Sequence, residues 1–281
     1  MTDDPLDLRF DPSVAQARER GGAEARRLSI WSGPRNVSTA LMYAFRQRSD
    51  AIVFDEPLYA HYLSVADVDH PGQRAVLDEM DTIGERVVDR VLLGSAPPAG
   101  PGTLGYRQRR KPGTVPAGPH VRVYKNMAHH MKGLRPGFLS ELENAILTRD
   151  PREMLPSLAE KIAEPTLADT GLGEQVALLS RELSEGRSPV VIDATRLLQD
   201  PEGVLQRACA ALALPWEPAM LSWPAGPKPE DGVWAEHWYQ NVHASTGFAP
   251  YRPPEEPFPD RLLPLLEASR PLYAFLAKHA V

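Results

Sequence analysis

A single cysteine in 281 residues leaves no possibility of an internal disulfide. Cys209 falls in the apolar helical pattern Val204, Leu205, Ala208, Leu212, which reads as inert core. No apolar run approaches the roughly 20 residues of a membrane helix. The opening Met1-Thr2-Asp3-Asp4 also lacks the basic-then-apolar order of a signal peptide, so a soluble, cytoplasmic protein is expected. A basic excess is missing too: 31 Lys and Arg stand against 37 Asp and Glu, for a net charge of −6. General nucleic-acid binding draws on an excess of cations, so positive charge should matter here only locally. Metal-ligand spacing is absent as well. Asp67, Asp69 and His70 come nearest, in an order that reads better as a polar loop, and no metal is expected.

What is present is globular: 42% apolar and 24% charged residues can bury a large core. Residues 1–26 show no sustained apolar period and read as a flexible tail, with one domain over 27–281. Five short β-favouring runs follow, Leu28–Trp31, Ala51–Phe54, Val121–Tyr124, Asn144–Thr148 and Pro189–Ile192, alternating with helix-like stretches. That alternation predicts an α/β fold, a central parallel sheet flanked by helices, with ligands bound beyond the carboxyl ends of the strands. Residues 94–119, rich in Gly and Pro and carrying Arg107, Arg109, Arg110 and Lys111, read as a lid-like excursion or a solvated insertion. Residues 223–259 read as an irregular, aromatic-rich stretch before a final helix over 261–278.

The first chemical signal is Ser32-Gly33-Pro34-Arg35-Asn36-Val37-Ser38-Thr39, which follows a strand and opens a helix over 40–48. Such a turn gathers free backbone N–H groups and a helix dipole at one point, an anion site. Against the GxxxxGK[ST] pattern, Ser32 replaces the first glycine, Val37 the second and Ser38 the lysine. Without that lysine ATP or GTP chemistry is disfavoured, and Arg35 supplies the cation instead. The plain alternative is an ordinary turn capped by Ser38. The loop resembles the 5′-phosphosulfate loop of the sulfotransferase family, departing from it at Val37, where the family usually has Gly. A β-branched residue is not expected at positive φ.

A second match follows. Thr148-Arg149-Asp150-Pro151-Arg152-Glu153 reads as a strand end passing into a helix, with Asp150 as N-cap, Pro151 at N1 and Glu153 closing a capping box. Arg149 and, eight residues on, Ser157 have the spacing of the family's 3′-phosphate motif. An Arg fork plus a hydroxyl suits a terminal phosphate. Asp193-Ala194-Thr195-Arg196 to Asp200-Pro201 resembles a further family segment, extending the likeness over about Leu28–Leu214. Beyond it, Lys228 in Gly226-Pro227-Lys228 loosely matches a basic stretch that closes over the nucleotide.

The resemblance implies a P-loop-like fold and 3′-phosphoadenosine 5′-phosphosulfate (PAPS) as donor, 3′,5′-ADP as product and no metal. Sulfuryl transfer needs a base for the acceptor proton and cations at the leaving oxygen. Glu56, ending the second strand, is the favoured base; His129 or His130 after the third strand is the competitor. Lys125 matches the family lysine that contacts the bridging oxygen, with Asp55 as its partner or that of Arg35, and His61 facing the acceptor. The alternatives are a small-molecule kinase with a degenerate Walker loop, and a nucleotide-binding module without catalysis. Trp234, Trp238 and Tyr239, with His237 and His243 nearby, form an aromatic cluster that serves either as a core plug or as an acceptor wall. As a wall it would suit an amino alcohol or other cationic alcohol as the small-molecule acceptor.

Overall fold

A computed structural model describes residues 25–94, 121–254 and 257–281. The expected tail and the 94–119 excursion therefore lie, except at their edges, outside the described residues. All five predicted runs are strands: β1 (Arg26–Ser32), β2 (Ala51–Asp55), β3 (Val121–Met127), β4 (Glu143–Thr148) and β5 (Val190–Asp193). They pair in parallel throughout, in the order β2-β3-β1-β4-β5.

Parallel strands are covered on both faces, so alternate side chains must enter two different cores. Leu28, Ile30, Val53, Val123, Leu147 and Ile192 enter one. It is closed by helices α1 (Ser38–Arg46), α5 (Ala194–Gln199) and α6 (Pro201–Ala211), with Cys209 buried as expected. Trp31, Ile52, Phe54, Tyr124, Ile146 and Val191 enter the other. There they meet α2 (Tyr59–Val65), α4 (Leu172–Ser184) and the end of α7 (Leu263–Ala277). The helix α3 (Pro151–Ala159) packs through Met154, Leu155 and Leu158 against Leu262 and Leu266 in a third, smaller cluster.

Asp150 caps α3 as expected, its Oδ1 accepting from Arg152 N at 2.8 Å. Glu153 departs from the capping-box reading. Its carboxylate accepts from Thr195 Oγ1 at 3.0 Å and the Tyr251 hydroxyl at 2.9 Å, and pairs with Arg149 Nε at 3.2 Å. Two hydroxyls and a guanidinium outweigh one backbone N–H. The stretch 223–259 is less irregular than its composition suggests, since it holds short helices over Ala235–Trp238 and Gln240–His243. No described helix is long and apolar enough to cross a membrane.

β1 sits centrally, and the chain leaves it toward β2 on one side before later building β4 and β5 on the other. The carboxyl end of β1 is thus the point where strand order reverses, and the turn carrying Arg35 begins there.

Candidate active site

Strand register determines which polar groups meet. Asp55 is the last residue of β2 and lies opposite Lys125 of β3. Registered neighbours share a face, and Lys125 Nζ lies 2.9 Å from Asp55 Oδ1. Glu56 follows β2 directly. Its N–H donates to Lys125 O at 2.8 Å, and its Oε1 lies 2.6 Å from the same ammonium. The Tyr239 hydroxyl, from the aromatic C-terminal stretch, accepts the third Lys125 proton at 2.5 Å. It donates in turn to Asp55 at 2.8 Å and accepts from Trp234 Nε1 at 3.0 Å. An ammonium has three protons, so Lys125 is fully committed, and contact with a leaving oxygen requires it to release one partner. Burial raises the Glu56 carboxyl above the usual carboxylate range; the Lys125 charge opposes this and the Asp55 charge adds to it. For Lys125 the two carboxylates outweigh burial and hold the ammonium protonated.

On the β1 side, Arg35 Nε donates to Ser157 Oγ at 2.8 Å, and Arg149 donates to Arg35 O at 2.7 Å. Two motifs read separately in the sequence are therefore one structure, in which the first turn is tied to the second through its own cation. Burial lowers the Arg35 pKa, with Arg149 adding to the effect against the opposing Glu160 charge. Gly33 has a spatial reason: a Cβ there would meet Thr170 O at 2.7 Å and Asn36 Nδ2 at 2.9 Å. Val37 overturns the expectation that a β-branched residue avoids positive φ, since it sits at φ 56°, ψ 26° as the N-cap of α1. Ser38 is the first helical residue rather than the cap, and no side chain caps the helix. The left-handed position that the family fills with Gly is thus retained, with the Val37 side chain packed against the core beneath α1. Four non-glycine residues among those described have positive φ. Three of them, Arg35, Val37 and Glu56, line one cavity. Such strain persists only where the surroundings over-determine it, and it concentrates at functional sites.

That cavity has a volume of about 470 Å³. Among the residues singled out from the sequence, residues 34–39, Glu56, Lys125, His129, His130, Arg149 and Ser157 line it. Gly33 and Lys228 do not line it. Lys228 Nζ is turned into its own loop, donating to Pro224 O at 2.7 Å and to Gly226 O, and lies 4.9 Å from the Tyr43 ring centre. The loose sequence match at Lys228 thus marks a loop clasp. His61 is also displaced from its expected place, held by Lys132 O at 2.9 Å behind the site. His129 and His130 border the cavity, each with a buried Nδ1 that has no partner. Burial lowers the pKa of His129 to about 4 and that of His130 well below the usual imidazole value, so both are neutral.

Residues not singled out from the sequence complete the walls. Tyr59 and Tyr62 lie three apart on α2 and so share a face, a spacing visible once α2 is recognised after Glu56-Pro57. His70, set aside as part of a polar loop, borders the cavity and bonds the Tyr59 hydroxyl at 2.9 Å. Asp169, from the turn before α4, lacked any sequence signal. Trp234 is both core and wall, being 2% exposed yet lining the cavity.

The sulfotransferase domain family model matches residues 26–111 and 112–280. The chain belongs to the sulfotransferase family, and its all-parallel sheet flanked by helices is the architecture the sequence led us to expect. It is 40% identical over 257 residues, 92% of its length, to branched-chain-amino-acid aminotransferase-like protein 1 of Arabidopsis thaliana. It is 39% identical over 252 residues, 90% of its length, to protein 2 of the same name and plant. It spans 42% and 41% of those two proteins, so their names describe considerably longer chains. Among solved structures it is similar to the sulfotransferase domain from the curacin biosynthetic pathway, at 16% identity and TM-score 0.49, covering 91% of this chain and 99% of that one. It is also similar to the sulfotransferase domain of the Synechococcus PCC 7002 olefin synthase, at 16% identity and TM-score 0.47, covering 89% and 96% respectively.

Proposed function

We propose that this sulfotransferase domain uses PAPS as donor and transfers its sulfuryl group to a hydroxyl or amine of a small-molecule acceptor. The carrying observation is the direct Arg35–Ser157 bond, with Arg149 on the Arg35 carbonyl. It joins two candidate phosphate motifs on one cavity that the Glu56–Lys125 pair also lines. The cavity fits such a donor in its polar groups. It offers two adjacent guanidinium groups and the start of α1, which no side chain caps. The cavity-lining Asn36 has a buried Oδ1 with no hydrogen-bond partner among the described residues. Arg149 and Ser157 would hold the 3′-phosphate; Arg35 and the N–H groups of residues 36–39 would hold the phosphosulfate.

When bound, the donor supplies the sulfuryl group and a phosphate leaving group. Glu56 takes the acceptor proton as the new S–O or S–N bond forms and the S–O bond to the bridging oxygen breaks. Arg35 and the α1 dipole oppose the charge that develops on the departing phosphate. Lys125 holds the Glu56 carboxylate in place. A carboxyl raised by burial is a stronger base than an imidazole whose pKa lies near 4, which favours Glu56 over His129 and His130.

The test is thermal denaturation with nucleotides, followed by a screen of alcohols, amino alcohols, phenols and sugars with radiolabelled PAPS. 3′,5′-ADP should stabilise the fold without metal, and 5′-AMP much less; at about 100 times its Kd the former adds roughly 2.7 kcal/mol. Equal shifts would remove the 3′-phosphate site, and stabilisation by ATP with magnesium alone would favour a kinase.

A further inference from the structure

Around His129 and His130 the cavity becomes a chamber of rings. Tyr62 stacks on His130 at 4.9 Å, meets His129 tilted at 4.7 Å and stands 6.0 Å from His70, which lies 6.3 Å from Trp238. Tyr59 lies 5.0 Å from His130 and meets Trp234 edge-on at 5.2 Å. With the imidazoles neutral, none of these rings carries positive charge. Asp169 borders the same chamber from the turn before α4. Its Oδ2 is pinned by Thr166, from N and Oγ1, each at 2.7 Å, so the carboxylate is fixed without an ion pair among the described residues. Its charge is felt by Tyr62, His70 and His129. Lys161 Nζ stands 5.9 Å from the Trp238 ring centre but does not line the cavity.

Ring faces attract a cation through their quadrupole, and a fixed carboxylate adds a full charge at the same place. A neutral ring wall alone would take phenols or hydrocarbons equally well. The carboxylate is what discriminates. We infer that Asp169, with Tyr62, His70 and Trp238, forms a cation subsite that selects acceptors bearing an amine or quaternary ammonium group at the end opposite the hydroxyl that receives sulfate. This rests on the chamber being the acceptor end of the proposed sulfotransferase site.

The probes are choline and its uncharged carbon isostere, 3,3-dimethylbutan-1-ol, titrated calorimetrically into the full chain with and without 3′,5′-ADP. Choline should bind at least tenfold more tightly to the wild type. Asp169→Asn, whose side-chain oxygen can still accept from Thr166, should bring that ratio close to one and leave 3′,5′-ADP affinity unchanged; Asp169→Glu should restore most of the preference. Equal binding of the two probes to the wild type, no binding of either, or a preference that survives in Asp169→Asn overturns the inference. Failure of 3′,5′-ADP to bind would instead remove the donor assignment and leave the choline comparison standing. Should Asp169→Asn unfold, the Asp169→Glu ratio and the wild-type comparison decide alone.

Discussion

Replacing Glu56 by Gln separates catalysis from stability in a way the geometry makes specific. One ammonium, Lys125, serves two buried carboxylates, Asp55 at 2.9 Å and Glu56 at 2.6 Å. The cluster is therefore one negative charge in excess when all three groups are ionised. Glutamine keeps the size and an oxygen for Lys125, and leaves Lys125 and Asp55 as a one-to-one pair. Removing an excess buried charge is commonly neutral or stabilising, so a gain of about 1 kcal/mol is expected. That corresponds to roughly 2–4 °C in Tm for a chain of this size. The gain should depend on pH. Burial places the folded-state pKa of Glu56 above its unfolded value. Its contribution to wild-type stability is therefore fully present below the unfolded pKa and is lost as pH rises through the folded value. Glutamine does not titrate, so the Tm difference between variant and wild type should be small near pH 4 and widen toward pH 8. Turnover should fall roughly 10²-fold or more with 3′,5′-ADP affinity unchanged. Scanning calorimetry across pH, single-turnover assay and nucleotide titration test this together. A variant less stable than wild type at pH 8, a pH-independent difference, or a near-normal rate would refute the reasoning.

Other expectations follow from the same contacts. Arg149→Ala should erase the preference for 3′,5′-ADP over 5′-AMP, a loss of about 1.5–3 kcal/mol measured by competitive titration, since a charge-assisted bond is removed. Lys125→Met should cost roughly 3–5 kcal/mol in denaturant unfolding by stranding two buried carboxylates, with partial recovery at acid pH as one of them protonates. Its retained stability at pH 8 would contradict the pairing. Trp234→Ala should destabilise by about 3–5 kcal/mol, because the ring is buried and its Nε1 holds Tyr239. His129 has a folded pKa depressed to about 4, so its contribution is present above the unfolded value and fades as pH falls from about 6.5 toward 4. His129→Gln should flatten that part of the stability profile, and a catalytic collapse in this variant, with Glu56→Gln active, would move the base to histidine.

Much of this site was already written in the chain. The five β-favouring runs, the Gly33-to-Thr39 turn and the Arg149–Ser157 spacing are local patterns, and local patterns survive in a one-dimensional reading because strand period, capping and loop chemistry act over a few residues. Glu56 was recognisable from its position directly after β2, and Lys125 from its place late in β3. What the chain alone withheld depends on pairings across long separations. The Lys125–Tyr239 bond joins residues 114 apart, the Arg35–Ser157 bond joins residues 122 apart, and neither has a sequence signature. The same is true of Lys228, whose local pattern suggested a phosphate contact until the fold turned it onto its own carbonyls, and of Asp169, which became part of the cavity only through the packing of the turn before α4. Val37 marks the boundary. Its intrinsic preference argued against a left-handed conformation, and only the tertiary structure, by packing its side chain against the core beneath α1 and closing the turn from β1 into α1, decided that it adopts one.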